Sequence, residues 1–337
     1  MANIESFNHK MAAHCESGTV TALLNHAGME ISEPLVFGIS GGLFFGYLKM
    51  PSFSFPMVVL RNKPGSIRKN IGKQLGIRFT TYKFKNPVES EQKLDSILDK
   101  QIPVALQTDF FYLDYIPSWY RVHINVHYIT VVGKNGTKYN VSDCYFPRIA
   151  EVETDSLRKG RFAGGMSAPN GFMFNVESVP KTFDLNKAIK KGIKQVTFNM
   201  LKIPIPILGV KGIKTFGKKI VEWPKYAKNV DDLSHAIMRI NTLFEDQGTG
   251  GGGFRFIYAS FLREASEHLN MPVLNDMAKN IMTIGDHWRE FSVFVAKLGK
   301  NRDLGSDRFL DMREMIYKMA DEEEIFFKDL AKITKSF

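Results

Sequence analysis

Residues 14–28, HCESGTVTALLNHAG, place a cysteine at the start of a predicted helix. Apolar side chains recur on one helical face of this stretch, and Gly28 is a typical residue just beyond a helix end. Cys15 would then lie at the helix N-terminus, where unpaired backbone N–H groups and the helix dipole favour a nucleophilic thiolate. The position also suits a buried structural cysteine, so this alternative stays open.

Residues 126–143, VHYITVVGKNGTKYNVSD, contain two β-prone runs around a Lys-Asn-Gly turn and predict a β-hairpin. With a three-residue loop over 134–136, His127 lies opposite Asp143 on one face, where the carboxylate could orient the imidazole. A two-residue turn would instead pair His127 with Cys144 and move Asp143 to the other face. His123, of the same parity, is the rival base, and a structural role for either histidine stays open.

The rest of the chain changes character near residue 180. The predicted strands lie before that point, at 56–61, 78–82, 103–106, 122–132, 138–142 and 171–176. The predicted helices lie after it, at 231–243, 254–269, 272–297 and 306–333. A length of 337 residues suits about two domains. We therefore expect an α+β domain over 1–178 and a mostly α-helical domain over 179–337, of which the start is rich in lysine.

Composition excludes several classes of protein. A hydrophobic fraction of 44% excludes disorder as the main state, and the apolar runs are shorter than the roughly 18 residues that a membrane span needs. Charged residues interrupt the first twenty positions, which predicts a cytoplasmic protein without a secretory signal. Cys15 and Cys144 are expected to be thiols, and no metal site is expected because close cysteine pairs and His-Glu-x-x-His are absent from the sequence.

The net charge of +10 is concentrated in one segment. Residues 181–229, here called the lysine belt, hold twelve lysines, no arginine and two acidic residues, which equals the surplus of the whole chain. Such a surface attracts an acidic protein, a phosphate-bearing carrier, nucleic acid or anionic lipid, and charge alone does not choose among them. A solvated pair of basic helices with no partner is the alternative.

Three stretches resemble the family of butirosin biosynthesis protein H. Residues 14–47, which end in GISGGLFFGY, resemble its N-terminal domain, as do residues 109–115 and the hairpin that carries His127. Residues 251–265, GGGFRFIYASFLREA, look like the helical domain of unknown function that commonly follows. The resemblance implies a papain-like fold for 1–178.

The resemblance also implies an activity. The founding member moves an aminoacyl group from the phosphopantetheine thioester of an acyl carrier protein to an amine of an aminoglycoside, forming an amide in specialised metabolism. Carried over to this chain, it implies Cys15 as the nucleophile, His127 as the general base and acid, and Asp143 as the group that orients His127. The lysine belt would then bind an acidic carrier, and nucleic acid is not an expected partner. A cysteine peptidase or thioesterase with the same triad, and a non-catalytic binding protein on this scaffold, are the alternatives.

Weaker candidates for substrate binding surround this triad. His9 stands where papain-like peptidases usually have a glutamine that helps form the oxyanion hole, so the Cys15 N–H supplies one donor and the second is unassigned. The segment 38–47 is a candidate wall or lid, or else a glycine-rich strand or turn, and the run 250–253 is a candidate phosphate contact or a tight interdomain turn. The further candidate residues are Glu33, Gly41, Gly42, Phe45, Tyr47, Gly252 and Arg255. No tightly bound cofactor is expected, and the phosphopantetheine arm enters as substrate.

Overall fold

The computed structural model describes residues 4–51 and 53–337, except for the side chain of Ser336. Its helices are α1 (Cys15–His26), α2 (Glu33–Ile39), α3 (Ser66–Leu75), α4 (Pro87–Leu98), α5 (Thr154–Arg161), α6 (Leu185–Leu201), α7 (Gly209–Ile220), α8 (Val230–Asn241), α9 (Arg255–Leu269), α10 (Val273–Asn301) and α11 (Ser306–Ile333). Its strands are β1 (Leu43–Leu48), β2 (Met57–Arg61), β3 (Arg78–Tyr82), β4 (Val104–Thr108), β5 (His127–Asn135), β6 (Lys138–Ser142), β7 (Ala150–Glu153) and β8 (Met173–Ser178). The chain forms two compact units, one with residues up to 36 and 67–183, the other with 37–66 and 184–337.

The first unit is built on an antiparallel six-stranded sheet in the order β3-β8-β4-β5-β6-β7. Alternate apolar residues of β4 and β5 are fully buried against α4 and α5, and they include Leu106 and Ile129. Helix α1 packs against β5, and the Thr19 hydroxyl donates to the Tyr128 carbonyl at 3.3 Å. The first turn of α1 is thereby held beside the start of β5.

The second unit combines the β1–β2 hairpin with the helices α6 to α11. Phe45 of β1 is fully buried, with ring centroids 6.3 Å from Phe216 and 6.1 Å from Trp288. The hydroxyl of Tyr47 accepts a hydrogen bond of 2.9 Å from the indole N–H of Trp223. Aromatic packing therefore makes this hairpin part of the helical core.

The expected fold class, an α+β part followed by a mostly helical part, is confirmed. Each predicted strand and helix has a counterpart, although β5 begins only at His127 because residues 121–125 form an irregular segment. Arg121 and Asn125 stabilise that segment by donating to backbone carbonyls. The single boundary expected near 178 differs from the compact units, which divide at 183 and assign 37–66 to the second unit because of its aromatic packing. Within the described ranges, no helix has the length and apolar character that crossing a bilayer requires.

Candidate active site

Cys15 is the first residue of α1 and is 7% exposed. Its Sγ lies 3.7 Å from the carbonyl oxygen of Val126, to which the thiol donates. Since Val126 directly precedes His127, this contact holds the thiol beside the start of β5. The arrangement places a cysteine at the positive end of a helix dipole, as the sequence predicts.

Glu33 fixes the chain that leads into α1. Its carboxylate accepts hydrogen bonds from the N–H groups of Ala13 at 2.8 Å and His14 at 2.9 Å, and from the Ser17 hydroxyl at 2.8 Å. Burial raises the pKa of Glu33, although these hydrogen bonds oppose the change. The contacts assign Glu33 a positioning role for Cys15, whereas its predicted role in substrate binding stays a prediction.

His127 and Asp143 form a buried hydrogen-bonded pair. The imidazole Nε2 donates to Asp143 Oδ2 at 2.8 Å, and the two side chains are 5% and 0% exposed. Burial lowers the pKa of His127, but the Asp143 carboxylate and a hydrogen bond with Cys15 outweigh it and raise the pKa to about 10. Burial likewise opposes ionisation of Asp143, whose pKa is nevertheless lowered by His127 and by further hydrogen bonds. At neutral pH the pair is therefore a carboxylate and an imidazolium.

Cys15 contacts the residue directly before His127, and His127 bonds Asp143, so the three predicted triad residues lie in one cluster. Since Nε2 of His127 is bonded to Asp143, Nδ1 is the nitrogen left for Cys15. The order of thiol, imidazole and carboxylate is that of a nucleophile, a base and the group that orients the base.

The predicted hairpin register is wrong, although the predicted pair forms. Asn135 pairs with Lys138, so the turn contains two residues, and a bulge at Val132 shifts the register between the turn and His127. Asp143 lies beyond the end of β6 and reaches His127 from the following turn rather than from a facing strand position. The bulge adds one residue to β5. Both registers expected from the sequence assume a regular strand and therefore lack this extra residue.

Two tyrosines of the site were missed as functional residues by sequence reasoning. The Tyr115 hydroxyl donates to Asp143 Oδ2 at 2.8 Å, and the backbone N–H of Tyr145 donates to Asp143 Oδ1 at 3.1 Å. The Tyr145 ring stacks on His127 with centroids 5.6 Å apart, while Phe110 meets the same imidazole edge-on at 5.1 Å. In the sequence, Tyr145 follows Asp143 by two residues, and this short spacing was the signal that could have identified Tyr145 as part of the site.

The rival base His123 lies in a second histidine–aspartate pair. Its Nδ1 bonds Asp109 Oδ2 at 2.8 Å, and its side chain is 63% exposed and stacked on Phe111. Asp109 also accepts from the N–H groups of Phe111 and Ile124, so it organises this loop. These contacts explain the His123–Asp109 pair as part of the local loop structure.

His9 is bonded through both ring nitrogens. Nδ1 bonds the Ser142 hydroxyl and Nε2 donates to the Phe146 carbonyl, each at 2.7 Å. His9 therefore holds the turn after β6, and neither nitrogen is left for an oxyanion. Its predicted place in the oxyanion hole is not supported by these contacts.

Several predicted substrate contacts lie in the second unit. Phe45 and Tyr47 belong to its core, as described above, and Gly42 packs against the Phe37 ring. Gly41 has a φ of +67° and allows a tight turn. These features are explained by packing, and a role in substrate binding stays a prediction.

Arg255 does not present its charge to a ligand. The side chain is fully buried, and its guanidinium donates to Glu323 at 2.9 and 2.7 Å and to the Gly253 carbonyl at 2.7 Å. Glu323 also accepts from the Trp288 indole at 2.7 Å. Because a buried carboxylate already neutralises Arg255, a phosphate contact at Gly252 and Arg255 is not supported. The glycines 250–253 all have positive φ and form a turn within the second unit.

Comparisons with known proteins connect this site to a family. A family model described as butirosin biosynthesis protein H, N-terminal, matches residues 14–144, and a domain of unknown function, DUF4872, matches 155–330. A crystal structure of a protein described as a C39-like peptidase from Bacillus anthracis is 12% identical, with a TM-score of 0.35. The match covers 54% of this chain and 98% of that one. Among curated proteins, none matches the chain.

Proposed function

Since the chain belongs to the DUF4872 family and carries the N-terminal domain of butirosin biosynthesis protein H, we propose that it is a cysteine-dependent acyltransferase. The observation that carries the proposal is the buried arrangement of Cys15, His127 and Asp143. In the proposed reaction, an acyl group passes from the phosphopantetheine thioester of a carrier protein to an amine. The product is an amide of a specialised metabolite.

The first half-reaction acylates the enzyme. The Cys15 thiolate attacks the thioester carbonyl and forms a new C–S bond, and the C–S bond to the carrier then breaks. The imidazolium of His127 gives its proton to the departing thiolate. Asp143 stabilises the imidazolium before this transfer and holds the ring in place.

The second half-reaction moves the acyl group to nitrogen. An amine attacks the acyl-cysteine, His127 takes the amine proton, and the C–S bond to Cys15 breaks. Water competes at about 55 M, whereas an oriented bound amine has an effective molarity of about 10⁵ M or more. An amine acceptor that is bound in position is therefore expected to outcompete water.

The lysine belt supports an acidic carrier as the partner. Lys187, Lys191 and Phe198 of α6 are exposed, the last at 51%. A basic face with an exposed apolar side chain suits a partner that is acidic and partly apolar. The thioester of such a partner is the proposed acyl donor.

Intact-mass measurement tests the proposal. After mixing with S-acetyl-N-acetylcysteamine, a minimal pantetheine thioester, we expect the wild type to gain one acetyl group and Cys15→Ala to gain none. Cys144→Ala is the matched control and should still be acylated, because burial raises the pKa of the Cys144 thiol well above its usual range. Adding amines should release the acetyl group as an amide, whereas acetate as the sole product with every amine would favour a hydrolase.

A further inference from the structure

Tyr145 is fixed to the triad at two points. Its ring lies nearly parallel to the His127 imidazole, with an interplanar angle of 12°, and its backbone N–H donates to Asp143. Phe110 packs edge-on against the same imidazole. The position of Tyr145 is therefore set by the catalytic pair itself.

The Tyr145 hydroxyl has no hydrogen-bond partner among the residues that the structure describes, and the side chain is only half-buried. The neighbouring Tyr115 differs, because its hydroxyl already donates to Asp143. Tyr145 thus keeps a donor beside the reacting groups.

The stacked ring places the phenol beside the imidazole that serves Cys15. Burial raises the pKa of Tyr145 well above its usual range, and the neighbouring Cys15, Cys144 and Asp143 add to the increase. The phenol therefore stays protonated at neutral pH and keeps its proton available for donation.

A second oxyanion donor is needed at Cys15. The backbone N–H of Cys15 is the expected first donor, while both nitrogens of His9 are bonded elsewhere. We propose that the Tyr145 hydroxyl donates a hydrogen bond to the oxyanion of the tetrahedral intermediate formed at Cys15. The inference rests on the proposed acyl transfer. Tyr145 keeps its proton in this step and only donates a hydrogen bond. The C–S bonds form and break as described above, and His127 carries the proton transfers.

The test separates oxyanion stabilisation from thiol reactivity. Acylation by S-acetyl-N-acetylcysteamine passes through an oxyanion, whereas alkylation by iodoacetamide does not. In Tyr145→Phe, which keeps the ring, we expect acylation to slow about 10²- to 10³-fold, as on loss of one oxyanion donor. Alkylation and its pH profile should stay within about twofold of the wild type, since the stacked ring remains.

Two further variants complete the design. Tyr145→Leu removes the stacked ring as well, so we expect slower alkylation and a shifted pH profile in addition to slow acylation. Tyr82→Phe removes a hydroxyl from β3 and should leave both rates unchanged. Thermal melting of each variant checks that the fold is retained.

The outcomes are distinguishable. If the wild type is acylated and Tyr145→Phe is acylated at the same rate, the inference fails while the proposed function stands. Equal losses of acylation and alkylation in Tyr145→Phe would also overturn it, because the hydroxyl would then act on the thiol or on His127. If the wild type forms no acyl-enzyme, both proposals fail.

Discussion

His127 holds a proton in surroundings that, taken alone, would remove it. An imidazolium buried without a counter-charge loses its proton readily, and here the Asp143 carboxylate reverses that effect. Asp143 in turn keeps its charge because it accepts hydrogen bonds from His127, Tyr115 and the Tyr145 backbone. Each charge of the pair therefore depends on the other.

This dependence predicts how stability changes with pH. The pKa of His127 is about 10 in the folded protein and about 6.5 in an unfolded chain. The folded state therefore binds an additional proton between these values. The contribution of His127 to the free energy of unfolding is complete below about pH 6.5 and is lost as the pH rises through about 10. In Asp143→Asn this decline of the free energy of unfolding should be smaller. Urea denaturation at a series of pH values from 6 to 10 measures it.

A matched control is available at the second histidine–aspartate pair. Asp109→Asn removes the same charge beside His123, which is exposed, so the decline due to His127 should persist. If the free energy of unfolding falls with pH equally in the wild type and in Asp143→Asn, the prediction is contradicted.

At the level of elements, the entry to α1 sets the position of the nucleophile. The helix has no side-chain cap at His14, and Glu33 instead accepts from the chain before the helix and from Ser17 within its first turn. The backbone around Cys15 is thus held by one carboxylate from a distant position in the sequence.

Glu33→Ala should therefore affect both stability and reactivity. Three donors lose their acceptor, which should lower the free energy of unfolding by about 1–3 kcal/mol. Iodoacetamide should alkylate Cys15 more slowly, since the thiol is no longer held beside His127. Glu33→Gln keeps one acceptor oxygen and should show smaller effects in both assays. Unchanged stability and alkylation in Glu33→Ala would exclude this role.

The hairpin shows what the sequence can and cannot predict. The alternation of β5 and β6 predicts both strands and brings His127 near Asp143. Gly133 is a residue type that often marks a bulge, but the sequence does not show whether the strand takes up an extra residue there or at which position. The roles of Tyr115 and Tyr145 depend on how the turn after β6 folds, and local patterns do not encode that packing.

At the scale of the whole molecule, charge is distributed unevenly along the chain. The lysine belt lies on α6, α7 and the segments around them, and some of its members are neutralised. Lys214 bonds Asp321 and Glu324, and Lys219 bonds Glu222. Exposed members such as Lys187 and Lys191 are the better candidates for partner binding.

Charge reversal at those positions tests the partner. In Lys187→Glu/Lys191→Glu we expect slower acyl transfer from an acidic carrier protein and a weaker salt dependence, because long-range attraction is lost. Transfer from S-acetyl-N-acetylcysteamine should be unchanged. Lys297→Glu/Lys300→Glu reverses two exposed charges on α10 and should leave carrier use intact. Equal effects of the two double variants would show that only net charge matters.

The sequence alone also could not assign residues 37–66 to the second unit. Glycines and aromatic residues in 38–47 suit a substrate wall as well as a buried hairpin, and only the partners of Phe45 and Tyr47 decide between these descriptions. Those partners lie more than 150 positions further along the chain.

The polypeptide passes from one unit to the other at three points, after residues 36, 66 and 183. A gene fragment that stops at 183 would carry the β1–β2 hairpin but not the aromatic residues that enclose it, and the complementary fragment would lack a piece of its own interior. Chimeras between relatives must therefore exchange two separate coding segments together. A single crossover in the gene would leave both products incomplete.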